Sequence, residues 1–174
     1  WDKLELKLKK ENETTENINL QKNNFMAIEA CRHYIKDSYD FTIESVGVYK
    51  NKTILVMGIE QLINKFKIFN EQIENDEVVI QIAQVNIDNC YDIILENEDY
   101  TQGKPIEYML YTKYFQKEKI LNYCGFRKNH PHDKYSVIRL AFNEKKEIVD
   151  IYNILNDVCA DLIELYTKIL GYVV

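Results

Sequence analysis

Apolar residues recur at intervals of three and four twice along this chain. Ile148, Ile151, Leu155, Val158, Leu162, Leu165 and Ile169 form one stripe, and the spacing predicts a helix of roughly six turns with one buried face. Tyr152, Cys159, Ile163, Tyr166 and Leu170 flank it, making it wider than a two-stranded zipper requires, so the helix is expected to pack on both a sheet and another helix. Leu55, Ile59, Leu62, Phe66, Phe69 and Ile73 make a second stripe, which gives way to the acidic joint Glu74-Asn75-Asp76-Glu77. Alternation of branched or aromatic with polar residues predicts strands over Tyr39–Val46, closed by Gly47, and over Tyr135–Phe142, closed by Asn143-Glu144-Lys145-Lys146. Further strands are expected at Val78–Val85, Tyr91–Leu95 and Leu121–Phe126, the first two joined through Asn86-Ile87-Asp88-Asn89. Between them, Asp99 or Thr101 caps a helix that tolerates Pro105 in its first turn and whose one apolar face is Ile106, Met109, Leu110, Lys113 and Tyr114. At the start, Leu4-Glu5-Leu6-Lys7-Leu8-Lys9 alternates as an edge strand would. The remainder up to Asn24 reads as loop, and Phe25–Ile35 reads as a short helical turn or the start of extended chain.

Strand followed by long helix thus occurs at residues 39–74 and again at 135–170. The expected fold is α+β: two related modules of antiparallel strands and long helices, residues 1–76 and 77–174, facing each other through their helices as a pseudo-dimer. The predicted interface is Leu55, Ile59, Leu62, Phe66, Phe69 and Ile73 against Ile151, Leu155, Val158, Leu162, Leu165 and Ile169.

Composition narrows the function classes. The 174 residues are 46% hydrophobic and 29% charged, enough for a packed core. No apolar run approaches the ~20 residues of a membrane span, and the opening Trp1-Asp2-Lys3-Leu4-Glu5 has no signal-peptide pattern. The absence of an initiator Met leads to the expectation of a piece of a longer protein. Net charge is −6, and Arg32, Arg127 and Arg139 are the only arginines, which argues against direct nucleic-acid contact. Cys31, Cys90, Cys124 and Cys159 form no Cys-x-x-Cys pair, so a reducing intracellular compartment is the simplest expectation.

Candidate chemistry is sparse. Cys124, His130 and His132 carry ligand types suited to zinc, but no fourth ligand accompanies them, and a buried cysteine beside a loop of histidines is the plainer reading. His33, between Arg32 and Tyr34, reads as a surface or cap residue. The adjacent carboxylates Glu98 and Asp99 suit a helix N-terminus better than acid-base catalysis. The five glycines make no phosphate loop, and no Ser or Cys sits in a nucleophile-elbow pattern. Neither catalytic residues, metal nor cofactor are therefore expected.

Two loops and one strand carry a family resemblance. Glu98-Asp99-Tyr100-Thr101-Gln102-Gly103 and Gly125-Phe126-Arg127-Lys128-Asn129-His130-Pro131-His132-Asp133, with the strand and long helix that follow, make residues 78–174 resemble the small α-like subunit of multisubunit RNA polymerases, the archaeal L and eukaryotic eleventh subunit. Phe41-Thr42-Ile43-Glu44-Ser45-Val46-Gly47 makes residues 39–74 resemble the closing part of the larger α-like subunit, the archaeal D and eukaryotic third subunit. Both in one chain resemble the fused α-like subunits of certain large DNA viruses. This chain departs at Tyr100, where the family has His, at Gln102 and Lys104-Pro105, at Asn129, and at His132. The resemblance implies an incomplete first module and a non-catalytic platform on which the large catalytic polymerase subunits and small assembly subunits gather. It also implies an intracellular setting, virion and host cytoplasm if viral. Tyr100, Thr101, Gln102, Gly103 and Lys104 would then dock a large subunit; a helix cap alone is the plainer alternative. The competing readings are a stand-alone α+β dimerisation or adaptor module, and a small metal-dependent hydrolase using Cys124, His130 and His132.

Overall fold

A computed structural model describes residues 1–173. It contains five α-helices and one four-stranded antiparallel sheet among the described residues, and the chain divides into two compact units, Trp1–Ile43 and the part from Glu44 onward.

The first unit is helical. Helices α1 (Asp2–Lys10) and α2 (Thr15–Asn24) are followed by a π-helical turn, Phe25–Glu29, and a 3-10 turn, Ala30–Arg32. The edge strand expected at Leu4–Lys9 is therefore a helix. Asp2 and Glu5 lie in its first turn and Lys7, Lys9 and Lys10 in its last, complementing the helix dipole, and Lys9 pairs with Glu5 at 2.6 Å. The loop expected before Asn24 is α2, whose first turn is capped by Thr14 Oγ1 accepting from Asn17 N at 3.3 Å. The Phe25–Ile35 turn is present, but no residue of these helical segments is buried.

The strand expected over Tyr39–Val46 is absent, and with it the strand-helix repeat. That segment joins no sheet, and Phe41 is 87% exposed. Alternation gives a strand only where a neighbour pairs its backbone groups, and the four strands present close their sheet without it. Gly47 does end the segment: its φ of +112° is open to glycine at little cost, and its N–H donates to Ser45 Oγ at 3.1 Å.

In the second unit α3 (Asn51–Glu74) leads into β1 (Ile80–Ile82), β2 (Cys90–Glu96), α4 (Tyr100–Leu110) with a π-helical continuation Tyr111–Lys117, β3 (Leu121–Arg127), β4 (Tyr135–Phe142) and α5 (Ile148–Val173). Strand order is β1-β2-β4-β3, with Ile93 opposite Ile80 and Ile138, and Cys124 opposite Leu140. The first strand is shorter than expected because it is an edge with one partner; Val85 N turns back to the Ala83 carbonyl and ends the pairing.

All three helices pack on one sheet face. Tyr91, Ile93, Leu95, Ile138, Leu140 and Phe142 meet Phe66, Phe69 and Ile73 of α3, Ile106 and Leu110 of α4, and Ile151, Leu155, Val158 and Leu162 of α5 in one buried cluster. Burying each side chain contributes about 1.5–3 kcal/mol before ordering costs. The joint at Glu74–Glu77 is thus a turn inside this unit, and the chain divides between residues 43 and 44. Asp76, at φ 58°, donates to the Ile73 carbonyl and Glu77 N to that of Gln72, a paired C-terminal cap that satisfies the last carbonyls of α3. The other sheet face carries a small buried patch of Ala83, Cys90 and Ala141 under Val85.

Candidate functional site

Helices α3 and α5 pack against each other along their apolar stripes. Phe66 of α3 stacks on Tyr166 of α5 with ring centroids 5.7 Å apart, and Tyr152 Oη donates to the Val78 carbonyl just past α3 at 2.9 Å. Residue 66 opposite 166 and residue 78 opposite 152 make the pair antiparallel. Ile59, Phe66, Phe69, Ile73, Ile151, Leu155, Val158 and Leu162 are buried, and Leu62 packs against the same cluster. Leu55, Leu165 and Ile169 remain 39%, 41% and 37% exposed. The stripes therefore run past the sheet, leaving apolar side chains at the start of α3 and the end of α5 half uncovered.

A network of side chains fastens α5 to α4. Tyr114 Oη donates to Asp157 Oδ2 at 2.5 Å, and Lys113 pairs with Asp157 and, at 2.8 Å, with Asp161. Burial alone would raise the Asp157 carboxyl, but the bonds from Lys113 and Tyr114 outweigh it and hold the group below its ordinary value. Burial and the adjacent Asp157 carboxylate push the Tyr114 phenol well up.

Docking residues expected at 100–104 divide into two kinds. Asp99 caps α4 by accepting from Thr101 N at 2.9 Å, and that bond holds its carboxyl below the usual range. Glu98 pairs with Lys65 of α3. The buried Gln102 amide, with its nitrogen toward Glu98, lies 3.2 and 3.3 Å from the carboxylate oxygens. Gly103 lies hard against the Phe126 ring: a Cβ there would sit 2.7 Å from Cζ and closer still to Cε2 and Cδ2. Gln102 and Gly103 thus pack the loop onto α3 and β3, while Tyr100, Thr101 and Lys104 face outward.

The rest of that outward face lies beyond the residues expected from sequence. Tyr100 and Tyr108 are 56% and 65% exposed, with Lys104 and Tyr111 beside them. Positions 100, 104, 108 and 111 share one side of α4 and its π-helical continuation, opposite the buried Ile106 and Leu110, a helical spacing legible in the sequence. Lys104 Nζ lies 5.9 Å from the Phe126 ring centroid and 2.5 Å from Glu107, and Tyr111 stacks on Phe115. Tyrosine is a residue type enriched at protein interfaces, and here three of them lie exposed side by side.

The cysteine and histidines serve local structure. Cys124 Sγ contacts the Glu107 carbonyl at 3.7 Å, and burial pushes its thiol up to about 12. His130 N donates to Asp133 Oδ2 at 3.0 Å, while its own Nδ1 accepts from His132 N at 3.2 Å, which makes a tight turn between β3 and β4. Among the described residues no three His, Cys, Asp or Glu side chains converge where they would hold a metal ion. No helix there is long and apolar enough to cross a membrane. At the other end of the chain, His33 is exposed beside Arg32, which pairs with Glu29.

No known family model matches the chain. No curated protein matches it either.

Proposed function

We propose that this chain is a non-catalytic assembly-platform subunit of a DNA-directed RNA polymerase, carrying two α-like segments in one polypeptide and docking the large catalytic subunits. The observation that supports this reading most is the antiparallel packing of α3, from the segment resembling the larger α-like subunit, along α5, from the segment resembling the small one. The order β-β-α-β-β-α over residues 80–173 and the outward tyrosines of α4 fit a platform that binds through side chains rather than performs chemistry. One observation favours the stand-alone adaptor instead: residues 39–46 join no sheet, so the first segment contributes a helix alone.

Purification of the tagged chain from its native source, with mass spectrometry of its partners, separates the two. Stoichiometric large polymerase subunits are expected, and a chain that purifies without them refutes the assembly reading. The docking patch is tested by Tyr100→Ala with Tyr108→Ala, both exposed, which should deplete those subunits while leaving the circular dichroism unchanged. Gly103 is unsuitable for this purpose, because any side chain there displaces Phe126 and confounds docking with folding.

A further inference from the structure

The sheet face turned away from the helices carries a charge arrangement that the docking patch on α4 does not use. Antiparallel pairing sets Gln81, Asp92, Arg139 and Gly125 in a row across the four strands. Arg139 Nε and Nη2 donate to the two Asp92 oxygens at 2.6 Å each, and Asp92 is only 5% exposed. This fork is internally satisfied, and Nη1 of Arg139 has no hydrogen-bond partner among the described residues. Gly125, next in the row, has no side chain of its own, and the Tyr123 ring lies over it with its hydroxyl 2.6 Å from where a Cβ would stand. Two residues further along β3 stands Arg127, exposed; Arg32 pairs with Glu29 and Arg139 with Asp92, but Arg127 forms no ion pair among the described residues. With Gln81 and Gln84 these groups line a cleft of about 470 Å³.

Charge decides what fits. Two guanidiniums and one carboxylate leave a single positive charge, which one further carboxylate neutralises in the geometry guanidinium groups prefer. A nucleic-acid strand would have to lie along a chain of net charge −6. We propose that this cleft docks an acidic side chain, Asp or Glu, of a partner protein, held by Arg127 and the free Nη1 of Arg139 and flanked by the amides of Gln81 and Gln84. The site stands independently of the polymerase reading and lies on a different face from the α4 tyrosines.

The test uses the ¹⁵N-labelled full chain, titrated with the acetylated, amidated pentapeptide GVEVG, its counterpart GVQVG, and decauridylate. The glutamate peptide should shift the amide resonances of Gln81, Gly125 and Arg127, with the glutamine peptide about tenfold weaker, as loss of a charge-assisted fork requires. Arg127→Gln should abolish that preference while leaving the remaining spectrum unchanged, and Gln84→Ala, outside the strands, should weaken binding of the glutamate peptide. Equal response to the two peptides overturns the proposal, as does a preference that survives Arg127→Gln. Tighter binding of decauridylate at the same amides also overturns it and assigns the cleft to phosphate.

Discussion

Truncating Phe66 to Ala tests whether α3 belongs to the same folded unit as the sheet. Phe66 is fully buried, lies in the main cluster and stacks on Tyr166 at an interplanar angle of 14°. Removing a buried phenylalanine ring costs about 3–5 kcal/mol in lost transfer energy and residual cavity. Losing the stacked pair adds about 0.5–1.5 kcal/mol. Even the lower end, about 3.5 kcal/mol in sum, is a large part of the ~5–15 kcal/mol that holds a domain folded. Urea unfolding followed by far-ultraviolet circular dichroism reads this directly. With a slope of about 2 kcal/mol/M the midpoint should fall by about 2 M with the slope unchanged. Leu55→Ala, at the half-exposed end of the same stripe, should shift it by less than about 0.5 M. Equal shifts for the two variants, or a Phe66→Ala loss under about 1 kcal/mol, would refute the packing of α3 on α5.

Gly103→Ala should lower stability by about 1–3 kcal/mol, because its Cβ meets the Phe126 ring, and Phe126→Leu in the same chain should restore part of the loss; additive losses in thermal unfolding would contradict the close contact. The Asp157 carboxyl lies below its ordinary 3.8 in the folded chain, so its contribution is present above the unfolded value and disappears as pH falls through the folded one. The stability gap between the native chain and Asp157→Asn should therefore be constant from about pH 5 to 8 and close below about pH 4; a gap that widens on acidification would reverse the assignment. Cys31 is exposed, whereas burial raises the thiols of Cys90, Cys124 and Cys159. A thiol reagent at pH 8 should thus label Cys31 rapidly and the other three only on unfolding, and a second fast site would show that the core is open.

Helical periodicity carried most of the second unit, because a stripe at three-four spacing meets the sheet wherever the sheet lies. Spacing alone turns Phe66, Ile73, Ile151 and Leu162 inward, and all four are buried. Alternation was less reliable, since a strand is a property of a pair. Leu121–Arg127 and Tyr135–Phe142 found each other, whereas Tyr39–Val46 has the same pattern and pairs with nothing. For Leu4–Lys9, helix-forming residues and dipole-matched charges outweighed a period of two. The split of residues 100–104 was hidden for another reason. Whether Gln102 points at Glu98 or at solvent depends on Lys65 and Phe126, which lie far away in sequence.

All the described residues that are buried lie between Ile59 and Leu162, yet large apolar side chains continue outside that span, among them Phe41, Val46, Val48 and Leu55 before it and Leu165 and Ile169 after it. Isolated exposed apolar residues are ordinary, but these follow patterns: strand alternation at 41–46, and the two ends of an antiparallel helix stripe. Regular amphipathic patterning without anything to cover it is a conflict between local sequence and folded surface, the kind that concentrates where a chain meets a partner. Unsatisfied strand pattern and unfinished helix stripe both belong to the segment resembling the larger α-like subunit or to the helix ends it packs on. Both features suit a surface that a partner protein covers, which the platform and the adaptor readings each supply, so the identity of that partner decides between them.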